Sequence, residues 1–95
     1  MAVTASLSAA GTYTAWFPLS ALTSNRRFHL SISGTWAGTI TIQRSVDGGT
    51  TPLDVNTYTA NVEDQGDEVE SGVMYRAGFK TGQYTSGTAI VRLSQ

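Results

Sequence analysis

The segment Phe28-His29-Leu30-Ser31-Ile32-Ser33 alternates strictly between apolar and polar side chains, and a repeat of two is the side-chain period of a β-strand with one buried face. Phe28, Leu30 and Ile32 are expected in the core, with His29, Ser31 and Ser33 in water. Beyond Gly34 the pattern resumes. From Trp36 to Arg44, Ile40 and Ile42 fall inward and Thr39, Thr41 and Gln43 outward, which predicts a hairpin with the preceding strand. Threonine suits the outward positions, because its β-branch stiffens the chain while its hydroxyl stays solvated. Composition points the same way: charged residues make up 14% of the chain, while 14 Thr and 10 Ser are present, against about 25% charged in an average soluble domain.

Val73-Met74-Tyr75-Arg76-Ala77-Gly78-Phe79-Lys80 places Val73, Tyr75, Ala77 and Phe79 on one side. Thr88-Ala89-Ile90-Val91-Arg92-Leu93 follows after a loop rich in Gly and Ser, so the two segments are expected to form a terminal hairpin. Weaker strands are expected at Val3–Leu7, Tyr13–Phe17 and Leu53–Thr59, and one short helical turn at Pro18–Ser24, where Leu19 and Leu22 have helical spacing. About seven short strands separated by regular turn signals predict an all-β fold, an antiparallel β-sandwich of jelly-roll or immunoglobulin-like type. Ninety-five residues without linker or internal repeat suit one domain, residues 1–95, with residues 1–8 as an N-terminal arm able to add to a neighbouring sheet edge.

The side-chain inventory removes most chemistry. With no Cys and one His, there is no disulfide framework, no thiolate nucleophile, no thiolate zinc site and no histidine cluster to build a site from. No enzyme, metal or cofactor is expected. A net charge of −1 offers no field for a phosphate backbone, so nucleic acid is not expected as a partner. No apolar run approaches the ~20 residues of a membrane helix, and Met1-Ala2-Val3-Thr4-Ala5-Ser6 lacks the basic and apolar regions of a signal peptide. Synthesis and folding in the cytoplasm are the expectation.

Two constellations stand out. Ser45-Val46-Asp47-Gly48-Gly49-Thr50-Thr51 matches the Ser-x-Asp-x-Gly-x-Thr core of the Asp-box, with Pro52 where that motif usually carries Trp. Asp47 can accept hydrogen bonds from the amides of the turn and Gly48 and Gly49 can take positive φ, so the segment is expected to be a structural hairpin rather than part of a glycan-cleaving site. Glu63-Asp64-Gln65-Gly66-Asp67-Glu68-Val69-Glu70 packs five carboxylates into eight residues. Its spacing fits no EF-hand, so a solvated, extended loop that could meet a basic patch is expected in preference to a calcium site. His29 is expected as an ordinary surface histidine. Arg26 and Arg27, the only basic pair, would guard a sheet edge or pair with an acidic neighbour. Trp16, Phe17 and Trp36 are candidates for the core or for interface anchors. An exposed flat row of Trp16, Trp36, Tyr13, Tyr58 and Tyr84 would instead signal sugar stacking.

Gly38-Thr-Ile-Thr-Ile-Gln-Arg-Ser-Val-Asp47, Gly72-Val-Met-Tyr-Arg76 and Lys80-Thr-Gly-Gln-Tyr-Thr-Ser-Gly-Thr-Ala89 resemble segments of small virion proteins from tailed bacteriophages. The resemblance covers residues 34 to 95 and is weak for residues 1 to 22. It implies a structural component of the virion, made in the bacterial cytoplasm: foremost a capsid decoration or cement protein that binds and stabilises the assembled head, with the major capsid protein or other virion proteins as partners. A homo-oligomer is implied, a trimer at threefold positions being one arrangement. A head-tail connector, tail or fibre-base component is the alternative, and a carbohydrate-binding module the second. Candidate partner contacts are Trp16, Phe17, Arg26, Arg27, Glu63, Asp64, Asp67 and Glu68.

Overall fold

Two long strands organise the chain. In the structure, a computed structural model describing residues 1–95, β4 (Phe28–Ser45) and β7 (Met74–Ser94) run antiparallel from His29 opposite Ser94 to Ser45 opposite Met74. Along the far side of β7 lie β1 (Ala2–Leu7), β2 (Thr12–Tyr13) and β3 (Phe17–Pro18). Along the far side of β4 lie β5 (Leu53–Tyr58) and β6 (Val62–Gly66). All seven strands are antiparallel and belong to one sheet, so the expected all-β, antiparallel, roughly seven-stranded fold is found. No helix is long and apolar enough to cross a membrane.

The sheet folds across a waist where glycines bend both long strands without reversing them. Between the Gly38–Tyr84 and Ile40–Phe79 pairs, β7 carries four residues against one in β4. Gly34 has φ +96, and a Cβ there would lie 2.5 Å from the carbonyl oxygen of Thr88. Only glycine combines that backbone angle with so close an approach. Gly87, at φ +84, faces the Thr35 carbonyl in the same way. One half of the folded sheet holds β1, residues 89–94 of β7, residues 28–34 of β4, and β6. The other holds β2, β3, residues 74–79 of β7, residues 40–45 of β4, and β5.

This corrects both expected hairpins. Phe28–Ser33 and Trp36–Arg44 are two parts of one strand, as are Val73–Lys80 and Thr88–Leu93 apart from the terminal residues. Each segment pairs with the other long strand, not with its own continuation. The glycines read as turns because positive φ serves reversals and bends alike. Even-numbered residues stay inward from Phe28 through Ile42, and the two halves close on one core of 15 buried hydrophobic residues; Thr41 and Gln43, expected in water, are buried as well, Gln43 being held between Asp54 and Arg76. Across it the Phe28 and Tyr75 rings lie 4.5 Å apart, while Trp36 and Tyr84 stand edge-on to Phe79 at 5.7 and 5.0 Å.

Four smaller differences follow from local chemistry. The turn expected at Pro18–Ser24 is one turn of 3-10 helix at Ser24–Arg26; Leu19 is buried there and Leu22 exposed. Tyr13–Phe17 is not one strand: Tyr13 and Phe17 belong to two short strands on β7, and Thr14 between them bonds Ala77 through its amide and its hydroxyl. Part of the acidic segment is strand β6, whose inward side carries Val62, Asp64 and Gly66 opposite Ile32, Leu30 and Phe28. Residues 2–7 of the expected arm are paired in register along β7.

Candidate functional site

Strands β5 and β6 each pair with β4 on one side only, and the two edges diverge around a cleft of about 130 Å³ that opens onto the core. Its floor is Phe28, Leu30, Ile42 and Tyr75; its rim is Val55, Asn56, Tyr58, Asp64, Gln65 and Gly66. The pleat accounts for the rim. Asn56 and Tyr58 lie opposite Ile42 and Ile40, and Asp64 opposite Leu30, so polar side chains occupy core-facing positions that a closed barrel would fill with apolar ones. A register shift at Ile42/Gln43 places Val55 over the opening, where it is 49% exposed. Gly66 serves the floor: a Cβ there would fall 2.6 Å from the Phe28 ring.

The rim is hydrogen-bonded but lacks a cation. The Tyr58 hydroxyl donates to Asp64 Oδ2 at 2.8 Å, and the Gln65 amide to Oδ1 at 2.8 Å. Burial, and next the hydrogen bond to Asp64, push the Tyr58 phenol up to about 12, so it stays a donor at neutral pH. The remaining carboxylates have other partners. Arg27 meets Asp67 at 2.9 Å, Lys80 meets Asp54 at 2.6 Å, His29 meets Glu63 at 3.2 Å, and Arg44 meets Glu68 at 2.8 Å and Glu70 at 3.5 Å. Asp47 is engaged by its own turn.

The expected solvated acidic loop is therefore corrected. Glu68 is 6% exposed and accepts from Arg44, the Tyr75 hydroxyl at 2.9 Å and the Glu70 amide at 3.0 Å. Burial works against its charge, yet those three donors hold the carboxyl below the usual range. Burial also pushes the Tyr75 phenol up to about 12, with the Glu68 hydrogen bond adding to the rise. Arg27, just before β4, and Arg44, within it, supply opposite charges to Asp67, Glu68 and Glu70, a pairing that the linear pattern does not display. No three His, Asp or Glu side chains converge as metal ligands would.

The candidate contacts fall in different places. Phe17 is fully buried, because β3 turns it into the core, and Glu68 is enclosed by its donors; neither can anchor a partner. Glu63 is exposed and accepts from Ser31, and Asp67 and Arg27 form an exposed pair. Arg26 has φ +50 and donates to the Val69 carbonyl. Trp16 is half-buried over Arg76, 4.6 Å from ring centroid to guanidinium, while Tyr13 lies 3.8 Å from the same guanidinium. A Cβ on Gly49 would meet the Trp16 indole nitrogen at 2.7 Å, so this tryptophan covers the 45–51 turn from another part of the chain. That turn is the expected structural hairpin: buried Ser45 donates to Asp47 and accepts from the Gly49 amide, and the Thr51 amide donates to Asp47. The five aromatics proposed for sugar stacking are all half-buried and form no single row. Tyr13 and Trp16 flank Arg76, Trp36 and Tyr84 flank Phe79, and Tyr58 closes on Asp64.

Of the cleft residues, sequence reasoning named Asp64 as a partner contact and Tyr58 for sugar stacking; Val55 and Asn56 were missed. The available signal was Leu53-Asp54-Val55-Asn56-Thr57-Tyr58, an alternating strand bracketed by turn residues, of which Asn56 and Tyr58 lie opposite the core residues Ile42 and Ile40. Comparison with protein-family models, curated proteins and solved structures gives no match.

Proposed function

We propose that this protein is a structural subunit of a tailed-bacteriophage particle, foremost a decoration protein that binds the assembled head. The phage setting rests on the sequence resemblance, and β5 supplies the observation that carries a binding role. Leu53 to Thr57 are exposed without a break, Leu53 is 45% and Val55 49% exposed, and Val46 on the adjoining turn is 53% exposed. Soluble proteins blunt such edges with Lys, Pro or a covering segment; the interior of β5 has neither Lys nor Pro, and Asp54 is engaged by Lys80 and Gln43. An open edge with half-exposed apolar side chains can accept a strand from a neighbouring subunit. Repetition over a lattice would then multiply a small contact into lasting attachment.

The test is to incubate purified protein with undecorated heads of the phage that encodes it, sediment the particles and image them by electron cryomicroscopy. Saturable binding with density on the lattice, reduced at least tenfold by Val55→Lys in a variant with unchanged circular dichroism, is expected. Density confined to the tail vertex would replace decoration with the connector alternative, and absence from particles would refute a virion role.

A further inference from the structure

The cleft between β5 and β6 constrains what could enter it. It combines a floor containing two aromatic rings, Phe28 and Tyr75, with a carboxylate, Asp64, that faces inward from an edge strand and contacts no cation. A carboxylate directed toward the core is costly unless paired or reached by water, since a low-dielectric surrounding disfavours the charged form. Tyr58 and the Gln65 amide supply one donor to each oxygen, which leaves acceptor capacity on both. Asp54, Asp67, Glu68 and Glu70 each meet an arginine or lysine, Asp47 is held by its own turn, and exposed Glu63 lies against His29 and Ser31, so Asp64 is the carboxylate that faces the core without a cation. The volume, about 130 Å³, is close to that of apolar cavities of ~150 Å³ that admit a benzene-sized guest.

The geometry points to a socket for one basic side chain, arginine or lysine, carried by an extended segment of a partner protein that adds to the free edge of β5. The aliphatic stem would lie on Leu30, Ile42 and the faces of Phe28 and Tyr75, and the head group would donate to Asp64 beside Tyr58. Long basic side chains divide between apolar and charged surroundings in this way, and aromatic floors favour cations further. A strand hydrogen-bonded to β5 turns every second side chain toward the cleft, so backbone pairing and the socket would be used together. The inference rests on the proposed edge-binding role of β5 and specifies the chemistry of the partner.

Titration of the isotope-labelled protein with n-butylguanidinium, followed by amide NMR, tests the socket without any particle, so its failure is distinguishable from failure of the virion reading. Saturable shifts centred on Asn56, Tyr58, Asp64 and Gly66 are expected, with 1-butanol binding at least tenfold more weakly. Asp64→Asn, which keeps an acceptor for Tyr58, should reduce the guanidinium to the level of the alcohol, and Asn56→Asp should tighten it. Shifts scattered over the surface, equal binding of the alcohol, or an unaffected Asp64→Asn variant would overturn the socket. A blocked pentapeptide, Thr-Val-Arg-Val-Thr, should bind at least tenfold more tightly than n-butylguanidinium and lose that affinity with Gln in place of Arg. A peptide no tighter than the free cation would overturn the strand partner.

Discussion

Replacing Glu68 with Gln probes whether the acidic segment is held by internal charge pairing. The wild-type carboxylate receives Arg44 at 2.8 Å, Tyr75 at 2.9 Å and the Glu70 amide at 3.0 Å while only 6% of the residue is exposed. A hydrogen bond to a charged group contributes ~1.5–3 kcal/mol and a neutral one ~0.5–1.5. Glutamine keeps the shape but loses the charge, and it brings an amide donor where the site offers donors already. Arg44 softens the loss, since its side chain is 28% exposed and retains Glu70 at 3.5 Å. The expected destabilisation at pH 7 is about 2 kcal/mol, well below the 3–5 of a fully enclosed pair, or roughly 8–16 °C in Tm for a domain of this size. The pH dependence has a definite sign. The folded carboxyl lies below its usual value, so its contribution is complete above the unfolded pKa, ~4.3, and disappears as pH falls through the folded one. Urea denaturation of both proteins at pH 7 and pH 3 should therefore show a gap that narrows in acid. A gap under ~0.5 kcal/mol at pH 7, or one of equal size at both pH values, would refute the reasoning.

Arg26→Gly should stabilise the protein by about 0.5–1 kcal/mol in the same assay, because a non-glycine residue at φ +50 carries a left-handed penalty of ~1–2 kcal/mol that outweighs one exposed bond to Val69; a loss of stability would refute this. Ser45→Ala should cost about 1–2 kcal/mol, since it removes a buried hydroxyl that serves both Asp47 and the Gly49 amide. Asp47, held at about 2 chiefly by Thr51 and then Ser45, should keep its part in the turn until the pH falls below the ordinary aspartate range, as NMR titration of its carboxyl carbon would report. Gly34→Ala should cost more than ~3 kcal/mol, because strain at φ +96 and collision with the Thr88 carbonyl act together; a soluble variant with wild-type Tm would disprove the folded-waist account.

Much of the architecture is legible in local pattern. Alternation from Phe28 to Ile32 and at Ile40 and Ile42 gives the inward face of β4 correctly, since a period of two follows from the pleat alone and needs no partner. The 45–51 turn is legible for the same reason: Ser45, Asp47 and the glycines satisfy each other within seven residues. The cleft was only partly legible. Asp64 stood out by charge, but its inward orientation depends on the register of β6 against Leu30, and nothing in Val62 to Gly66 advertises a strand, because its inward side holds one apolar side chain, one carboxylate and one glycine.

What the sequence determined by itself is the all-β character, the identity of the core-facing residues on the long strands, and the absence of thiol or paired-histidine chemistry. Tertiary structure alone decided that Gly34 and Gly82 to Gly87 bend continuous strands instead of ending them, that Glu68 is enclosed while Asp64 remains without a cation, and that β5 and β6 leave a cleft between their edges. The division has a physical basis. Alternation and side-chain chemistry are properties of neighbours along the chain, whereas bending against reversal, charge pairing and open edges depend on which distant backbone supplies the hydrogen bonds and counter-charges.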